Sequence, residues 1–478
     1  MKDETLDVVI IGGGTAGLSA LREVRRQTDR FAIIDAGPWG TTCARTGCMP
    51  SKALIAAADA FHRRDALETF GIHGGAGLSV DVPAVLTRVR ALRDGFVAGA
   101  LRATEDPQAH AITGRARLLA PDCVEVNGRR LRARHIIVAT GSRPVVPDPW
   151  RVLGERLLTS DSLFECEDLP RRIAVVGMGA IGVEMAQALS RLGIDVTAFG
   201  SHESLAGLGD PVVNEALLES LRHEFAVHVG AQASVTQDDH GTIRVRAGVQ
   251  EVQVDAVLAA LGRRPDLHDL GLDALGVPLN DRGLPAIDPL TMRVAGLPVF
   301  IVGDVAARLP LQHEAADDGH MAGLQVAALL AGNAQPLQFR RRVPLSIVFS
   351  DPEVAVIGTR FSQLDAKQVR IGEVRFDRQS RARIEQRNRG ALRLYADAHT
   401  GVLLGSELCA PSGGHLAHLL ALAIDRRLTV HELLRLPFYH PVLEEGLRTA
   451  LRHLSSQLPA CAPSDLAACA AVGIEALE

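Results

Sequence analysis

Three glycines recur at one spacing in two places in this chain, each time in the same setting, and that repeat constrains the fold more than any other feature. Asp7 to Ile11 reads as a short apolar run rich in β-branched residues, the pattern of a parallel strand covered on both faces. Gly12-Gly13-Gly14-Thr15-Ala16-Gly17 follows, then helical periodicity from Leu18 to Arg26, then a second strand from Phe31 to Asp35. The order returns at Ile173 to Val176, with Gly177-Met178-Gly179-Ala180-Ile181-Gly182, a helix through Leu192 and a strand from Asp195 to Phe199. In such a turn the first glycine permits the sharp bend, the second lets backbone approach a pyrophosphate, and the third admits close helix packing. The helix N-terminus offers unpaired N–H groups to the anion. Two copies predict two nucleotide-binding units.

The copies differ where the second strand ends. The first closes on Asp35, eighteen residues after Gly17, where a carboxylate can accept both hydroxyls of an adenosine ribose. The second runs into Gly200-Ser201-His202-Glu203, with neither an acid at the place expected for NAD nor an arginine pair for the 2′-phosphate of NADP. Coenzyme preference is therefore open: Glu203 toward a ribose, and Ser201 or His202 toward a phosphate, are both compatible with the segment.

A length of 478 residues corresponds to about three domains. A formal charge of −5 and 47% hydrophobic residues exclude wholesale disorder and leave no basic footprint for nucleic acid. There is no apolar run long enough to span a membrane. Lys2, Asp3 and Glu4 lead almost directly into the first glycine turn, unlike a signal peptide, so a cytoplasmic protein is expected. Between the glycine turns lie a long helical stretch, Val82 to Thr104, and β-rich pieces from Ala111 to Val138 with Asn127-Gly128 as a hairpin turn. A strand-like Val299 to Val302 precedes Gly303-Asp304. After Arg340 the character changes: strands around Leu345 to Phe349 and Leu392 to Tyr395, then helices His415 to Asp425 and Val442 to Leu454, predict an α+β terminal domain.

Seven cysteines, odd in number and unevenly spaced, do not make a disulfide framework. The close pair in Gly40-Thr41-Thr42-Cys43-Ala44-Arg45-Thr46-Gly47-Cys48-Met49-Pro50-Ser51-Lys52 needs a chemical explanation. Two thiols five residues apart at the start of a helix can close a small disulfide ring. The helix N-terminus lowers the pKa of Cys48 and favours its thiolate, so the pair can be oxidised and reduced in turn. A zinc site is the competing idea, but no second Cys or His pair stands at metal spacing, and no metal is expected.

Cys-x4-Cys after Gly-Thr, with Met-Pro-Ser-Lys behind it, resembles the active-site segment of the flavoprotein disulfide reductases, the class I pyridine nucleotide-disulfide oxidoreductases. The likeness is greatest to dihydrolipoamide dehydrogenase. Further matches in family order are Ala139-Thr140-Gly141-Ser142-Arg143-Pro144, Ala260-Leu261-Gly262-Arg263-Arg264-Pro265-Asp266, Val302-Gly303-Asp304 and Asp351-Pro352-Glu353-Val354-Ala355, so the resemblance runs from about residue 5 to 455. It implies an α/β fold with two Rossmann-like nucleotide-binding domains, for FAD and NAD(P), plus a C-terminal α+β dimerisation domain. The expected division is 1–150 with 270–338 for FAD, 151–269 for NAD(P), 339–457 for the interface and 458–478 as a tail.

The resemblance also implies roles. Gly12, Gly14 and Gly17 would cradle the FAD pyrophosphate, Asp35 its adenosine ribose and Asp304 the ribityl chain. Thr140, Gly141 and Gly303 would complete the FAD site, with Thr42 and Lys52 near the flavin. Gly177, Gly179, Gly182 and Gly262 would serve NAD or NADP. Cys48 would be the thiolate against the flavin, Cys43 the thiol exchanging with substrate, and Glu184 the partner of Lys52. His440, in His440-Pro441-Val442-Leu443-Glu444-Glu445, would act as acid and base with Glu445 orienting it, reaching the disulfide of the other subunit in an obligate homodimer. The substrate would be a small-molecule or lipoyl-domain dithiol or disulfide. Three departures favour an alternative, an NAD(P)H-dependent reductase of another disulfide or of Hg(II). Ala44-Arg45-Thr46 puts a cation beside the exchanging thiol. Phe438-Tyr439 stands where a lipoamide-specific enzyme often has a second histidine. Cys461 and Cys469 lie in the tail, as a plain extension or as a relay dithiol. A non-catalytic, redox-sensing flavoprotein fits poorly with Cys43, Cys48, His440 and Glu445 together.

Overall fold

The computed structural model describes residues 4–105, 110–333 and 335–459. The chain forms two compact units, one drawn from Met1–Ala57, Asp81–Leu169 and Ala259–Arg341, the other from Ala58–Val80, Pro170–Leu258 and Arg342–Glu478.

In the first unit, Glu4–Ile11 is the middle of a parallel set, with Phe31–Asp35 on one side, then Ala111–Thr113, and Arg129–Val138 on the other. Val8, Val9 and Ile10 are wholly buried, as a continuous apolar strand covered on both faces requires. The long strand Arg129–Val138 has two partners. Its first half pairs antiparallel with Cys123–Val126, and its last residues pair in parallel with Val299–Ile301. Asn127 and Gly128 make the two-residue hairpin connection, with φ of 50° and 72°, both in the left-handed region that Asn-Gly tolerates. The glycine-turn helix, Thr15–Val24, packs against Gln312–Leu330, where a Cβ on Gly319 would lie 2.0 Å from the carbonyl oxygen of Ala16. Only glycine allows that approach. The helix starts at Thr15, earlier than the apolar periodicity suggests, because Gly17 lies within its first turn.

In the second unit, Ala226–Val229, Asp195–Gly200, Arg172–Val176 and Ala256–Ala259 stand side by side in that order, next to a three-stranded antiparallel meander, Ala233–Gln237, Ile243–Ala247 and Gln250–Val254. The terminal part is an antiparallel sheet in the order Leu345–Val348, Glu353–Gly358, Leu403–Ala410, Ala391–Asp397, Val369–Arg375. Helices Gly413–Asp425 and Glu444–Ser455 bury their apolar faces into the same core as the sheet. Residues 151–169 and 259–269 pack with the first unit, held there by the Val145 amide donating to the Gly262 carbonyl at 2.9 Å and Arg263 donating to Asp161 at 2.7 Å. No described helix is long and apolar enough to cross a membrane.

Candidate active site

The first glycine turn has the shape an anion needs. Gly12 sits at φ +113°, and a Cβ there would meet the Ala139 oxygen at 2.2 Å; a Cβ on Gly17 would meet the Gly12 oxygen at 1.9 Å. Between these two tight positions Gly14 caps the helix with no side-chain hydrogen bond, and a Cβ on it would find nothing within 4 Å. The open glycine and the uncapped N–H groups are the features that fit a pyrophosphate. Asp35 braces the turn: its carboxylate accepts from the Gly13 amide at 2.6 Å and from Gly37 at 2.7 Å. The second turn repeats the plan, with Gly177 at φ +102°, Gly179 open at the helix cap and Gly182 buried within Ala180–Arg191.

Cys43 lies in the short helix Thr42–Arg45, capped by the Thr41 hydroxyl, which accepts from Ala44 at 3.1 Å. Cys48 opens the helix Cys48–His62. Gly47 lets the two helices meet, since a Cβ on it would stand 3.1 Å from the Thr42 oxygen. The Cys43 and Cys48 thiols are hydrogen-bonded to each other. The pKa of Cys43 is raised, first by that hydrogen bond, then by burial and by the charge of Cys48, while the Lys52 ammonium opposes the shift. Cys48 stands at its helix N-terminus with Lys52 one turn further on, a setting that favours a thiolate. The Arg45 cation, expected beside the exchanging thiol, is turned to the Pro38 carbonyl at 3.0 Å, its stem lying over Gly40. A bare arginine on so short a helix takes the nearest uncapped carbonyl.

Asp304 follows the strand Val299–Ile301 and accepts from the Ser142 hydroxyl at 2.7 Å. Ser142 in turn accepts from Arg263 Nε at 3.0 Å, and Arg263 is held by Asp161 at 2.7 Å. Gly303, at φ +74°, fits against Ala16. Thr140 donates to the Asp266 carbonyl at 2.8 Å, Gly141 stands at φ +73° and Gly262 at φ +92°. The array thus joins the Ala139-Thr140-Gly141-Ser142 and Leu261-Gly262-Arg263 segments to Asp304. Ser142, Arg263 and Asp161 form a hydrogen-bonded array around Asp304 that sequence reasoning missed. Ser142 and Arg263 stand inside the quoted motifs, but nothing local marks them as partners of Asp304.

In the second unit Glu184 is buried and accepts from the Phe349 amide at 2.9 Å, so it is not the surface acid its residue type alone suggests. Nδ1 of His440 lies 3.0 Å from Glu445 Oε1, and Glu445 Oε2 accepts from the Val442 amide at 3.2 Å. The Glu445 pKa is lowered, chiefly by that bond to His440. The imidazole is 73% exposed, so its Nε2 edge faces outward from the unit. Thr42 is exposed at the start of its helix. Among the described residues no group of three His, Cys, Asp or Glu side chains could hold a metal ion. Cys461 and Cys469 lie outside the described residues.

The model of the family "pyridine nucleotide-disulphide oxidoreductase" matches residues 6–319, and the dimerisation domain of the same family matches residues 344–451. The dihydrolipoyl dehydrogenase of Thermus scotoductus is 31% identical over 470 residues, covering 95% of this chain and 98% of its own. A mercuric reductase of Bacillus cereus is 28% identical, covering 95% of this chain and 73% of its own. Among solved structures, LpdA of Mycobacterium tuberculosis superposes with a TM-score of 0.78 at 26% identity, over 94% of this chain and 100% of its own. The HOCl-induced flavoprotein disulfide reductase RclA of Escherichia coli, as its Cu(II) complex, has a TM-score of 0.80 at 22% identity, over 95% and 99% of the two chains, a likeness of fold.

Proposed function

The chain belongs to the pyridine nucleotide-disulphide oxidoreductases, FAD-dependent enzymes that exchange electrons between NAD(P)(H) and a dithiol or disulfide, and from that premise we propose that its substrate is dihydrolipoamide. The observation that carries this reading is the contact of Cys43 and Cys48 thiols at a helix N-terminus with Lys52 acting on them, in a chain that aligns over 95% of its length with a dihydrolipoyl dehydrogenase.

In the direction of dithiol oxidation, one substrate thiolate attacks Cys43 of the Cys43–Cys48 disulfide, forming a mixed disulfide and releasing Cys48 as thiolate. The second substrate thiol, deprotonated by His440, attacks the substrate sulfur of that mixed disulfide. The substrate leaves as a disulfide and Cys43 is freed; two electrons have moved to the cysteine pair. Lys52 offsets the negative charge at Cys48, and Glu445 holds the imidazole by Nδ1, leaving Nε2 for the proton. FAD, when bound, would supply the two-electron redox chemistry that links the reduced Cys43–Cys48 pair to nicotinamide. Gly12, Gly14 and Gly17 would hold its pyrophosphate, Asp35 its ribose and Asp304 its ribityl chain, with Thr140, Gly141, Gly303, Thr42 and Lys52 around it. Gly177, Gly179, Gly182 and Gly262 would serve the coenzyme.

Residues 1–150 and 270–338 would bind FAD, 151–269 would bind the coenzyme, with 151–169 and 259–269 packed into the first unit, and 339–457 would form the interface. A match to the family's dimerisation domain and the outward-facing His440 support a homodimer in which each His440 serves the partner's cysteines. A second reading, a reductase of another disulfide or of Hg(II), is favoured by Tyr439, 78% exposed beside His440, and by the mercuric reductase relative. Steady-state turnover with dihydrolipoamide, glutathione disulfide and Hg(II) decides between them. The proposal expects kcat/KM for dihydrolipoamide to exceed the others by at least about a hundredfold; preference for either of the others overturns it.

A further inference from the structure

Asp210 and Glu407 have no exposed surface, and the reaction above uses neither. Their partners show what they do. In the first glycine turn the end of the second strand supplies the brace directly, Asp35 accepting from Gly13. In the second turn that strand ends at Gly200, which has no carboxylate to offer and where a Cβ would fit closely, 3.3 Å from the His202 oxygen and 3.4 Å from the Met178 Cβ. The brace comes instead from the following segment, residues 201–210. Its Ala206 amide donates to the carbonyl of Met178, inside the glycine turn, at 2.9 Å.

That segment is tied at several points. Leu205 donates to Asn214 Oδ1 at 2.8 Å, and Asn214 Nδ2 donates to the Glu203 carbonyl at 3.0 Å. At its far end Glu407 Oε2 accepts from the Gly209 and Asp210 amides at 2.7 and 2.8 Å, while Oε1 accepts from Phe361 at 3.0 Å. Asp210 caps the helix Pro211–Arg222 through Val212 at 3.0 Å, and also accepts from Tyr395 at 2.8 Å and from Arg393 at 3.0 and 3.1 Å. Arg360 donates to the Gly207 carbonyl at 2.9 Å. Three amides on two oxygens need a carboxylate. An amide side chain has one acceptor oxygen and would set N–H against N–H.

We infer that Glu407 is a positioning residue for the nicotinamide coenzyme, with Arg360 as its surface counterpart: together they hold residues 201–210, and through Ala206 the second glycine turn, in the shape that receives the adenosine half. This rests on the reading that the second turn binds NAD(P). It also accounts for the missing carboxylate at the strand end, because the bracing role of Asp35 has passed to a residue in the terminal sheet.

The test uses FAD-loaded full-length enzyme, wild type and Glu407→Gln, with Arg360→Ala as an exposed variant that leaves the buried cluster intact. Steady-state turnover of dihydrolipoamide with NAD and with NADP gives the coenzyme KM and kcat, and reduction of the enzyme is followed anaerobically with NADH, with NADPH and, separately, with dihydrolipoamide, which does not need the second turn. The expected result for Glu407→Gln is a KM for the coenzyme raised at least about tenfold with kcat within about twofold. Flavin content and reduction by dihydrolipoamide stay as in wild type. Arg360→Ala moves the same KM about two- to fourfold. A coenzyme KM unchanged in folded Glu407→Gln overturns the inference; should that variant not fold, an unchanged KM in Arg360→Ala overturns it. Wild-type enzyme that is reduced by dihydrolipoamide but by neither coenzyme would instead overturn the reading of the second turn.

Discussion

Gly14→Ala separates the fold from its cofactor. The position has φ −79° and ψ −172°, open to any residue, and a Cβ there touches nothing within 4 Å. Alanine is a poorer helix cap than glycine by roughly 0.5 kcal/mol, while the reduced entropy of the unfolded chain returns about 0.4–1 kcal/mol. The net change in stability of the cofactor-free protein is therefore within about 0.5 kcal/mol of zero. The new methyl, however, projects into the space in front of the uncapped helix N–H groups. Loss of one charge-assisted hydrogen bond to the pyrophosphate costs about 1.5–3 kcal/mol, a roughly 10- to 150-fold weaker binding of FAD. Gly12→Ala is the contrast, with φ +113° and a Cβ 2.2 Å from the Ala139 oxygen, a backbone clash worth more than about 1–3 kcal/mol of fold stability. Urea unfolding of deflavinated protein and fluorescence titration with FAD give both numbers. The reasoning is refuted if Gly14→Ala binds FAD with wild-type affinity, or loses as much stability as Gly12→Ala.

Replacing His440 by Gln removes the base for the second substrate thiol, and dihydrolipoamide turnover should fall about 10²–10⁴-fold while reduction by coenzyme stays near wild type; stopped-flow traces of the two half-reactions check this. Arg191 has a side chain 3% exposed that donates to Glu224 at 2.7 Å and faces Asp59 and Asp351 as well, so Arg191→Met leaves Glu224, itself 10% exposed, without its cation. It should cost about 3–5 kcal/mol in urea unfolding, against under about 1 kcal/mol for Arg172→Ala, which breaks the exposed pair with Asp255. The His135 pKa is pushed down from 6.5 to about 4, first by burial and then by Arg134 and Arg293, so the folded protein keeps it neutral where the unfolded chain takes up a proton. Its contribution is intact above pH 6.5 and lost as the pH falls toward 4, at most ~3 kcal/mol by linkage and about 1–2 kcal/mol after allowing for its partial exposure. His135→Gln should flatten the stability profile in that window, and an unchanged slope would refute the assignment.

What was legible in the sequence was what local chemistry dictates. The glycine turns could be read because tight turn, open cap and helix contact each need glycine at a fixed spacing, and the structure has Gly12, Gly14 and Gly17 in those three environments. Asn127-Gly128 announced its hairpin because few other residue pairs accept two positive φ values. The cysteine pair was legible because spacing and a helix start already imply contact. Residues acting across long separations were not. Glu407 meets Gly209 across 198 positions and Ser142 meets Asp304 across 162, and neither carries a mark in its own neighbourhood. The partner of Arg45 was not legible for a related reason: a long flexible side chain chooses among acceptors by three-dimensional proximity, and it donates to the Pro38 carbonyl seven residues back. The pairing of Ser142–Pro144 with Arg263–Pro265 is another long-range contact without a local mark, and its flanking residues lie in the first unit.

The central claim is that Cys43 and Cys48 form and break one disulfide during turnover. Differential alkylation of the native enzyme, before and after anaerobic reduction by dihydrolipoamide, with peptide mass spectrometry across residues 41–52, tests it most directly. Both cysteines should be closed to reagent and two hydrogens lighter before reduction, and both labelled after it. Equal labelling of Cys43 and Cys48 in the two states would contradict the account.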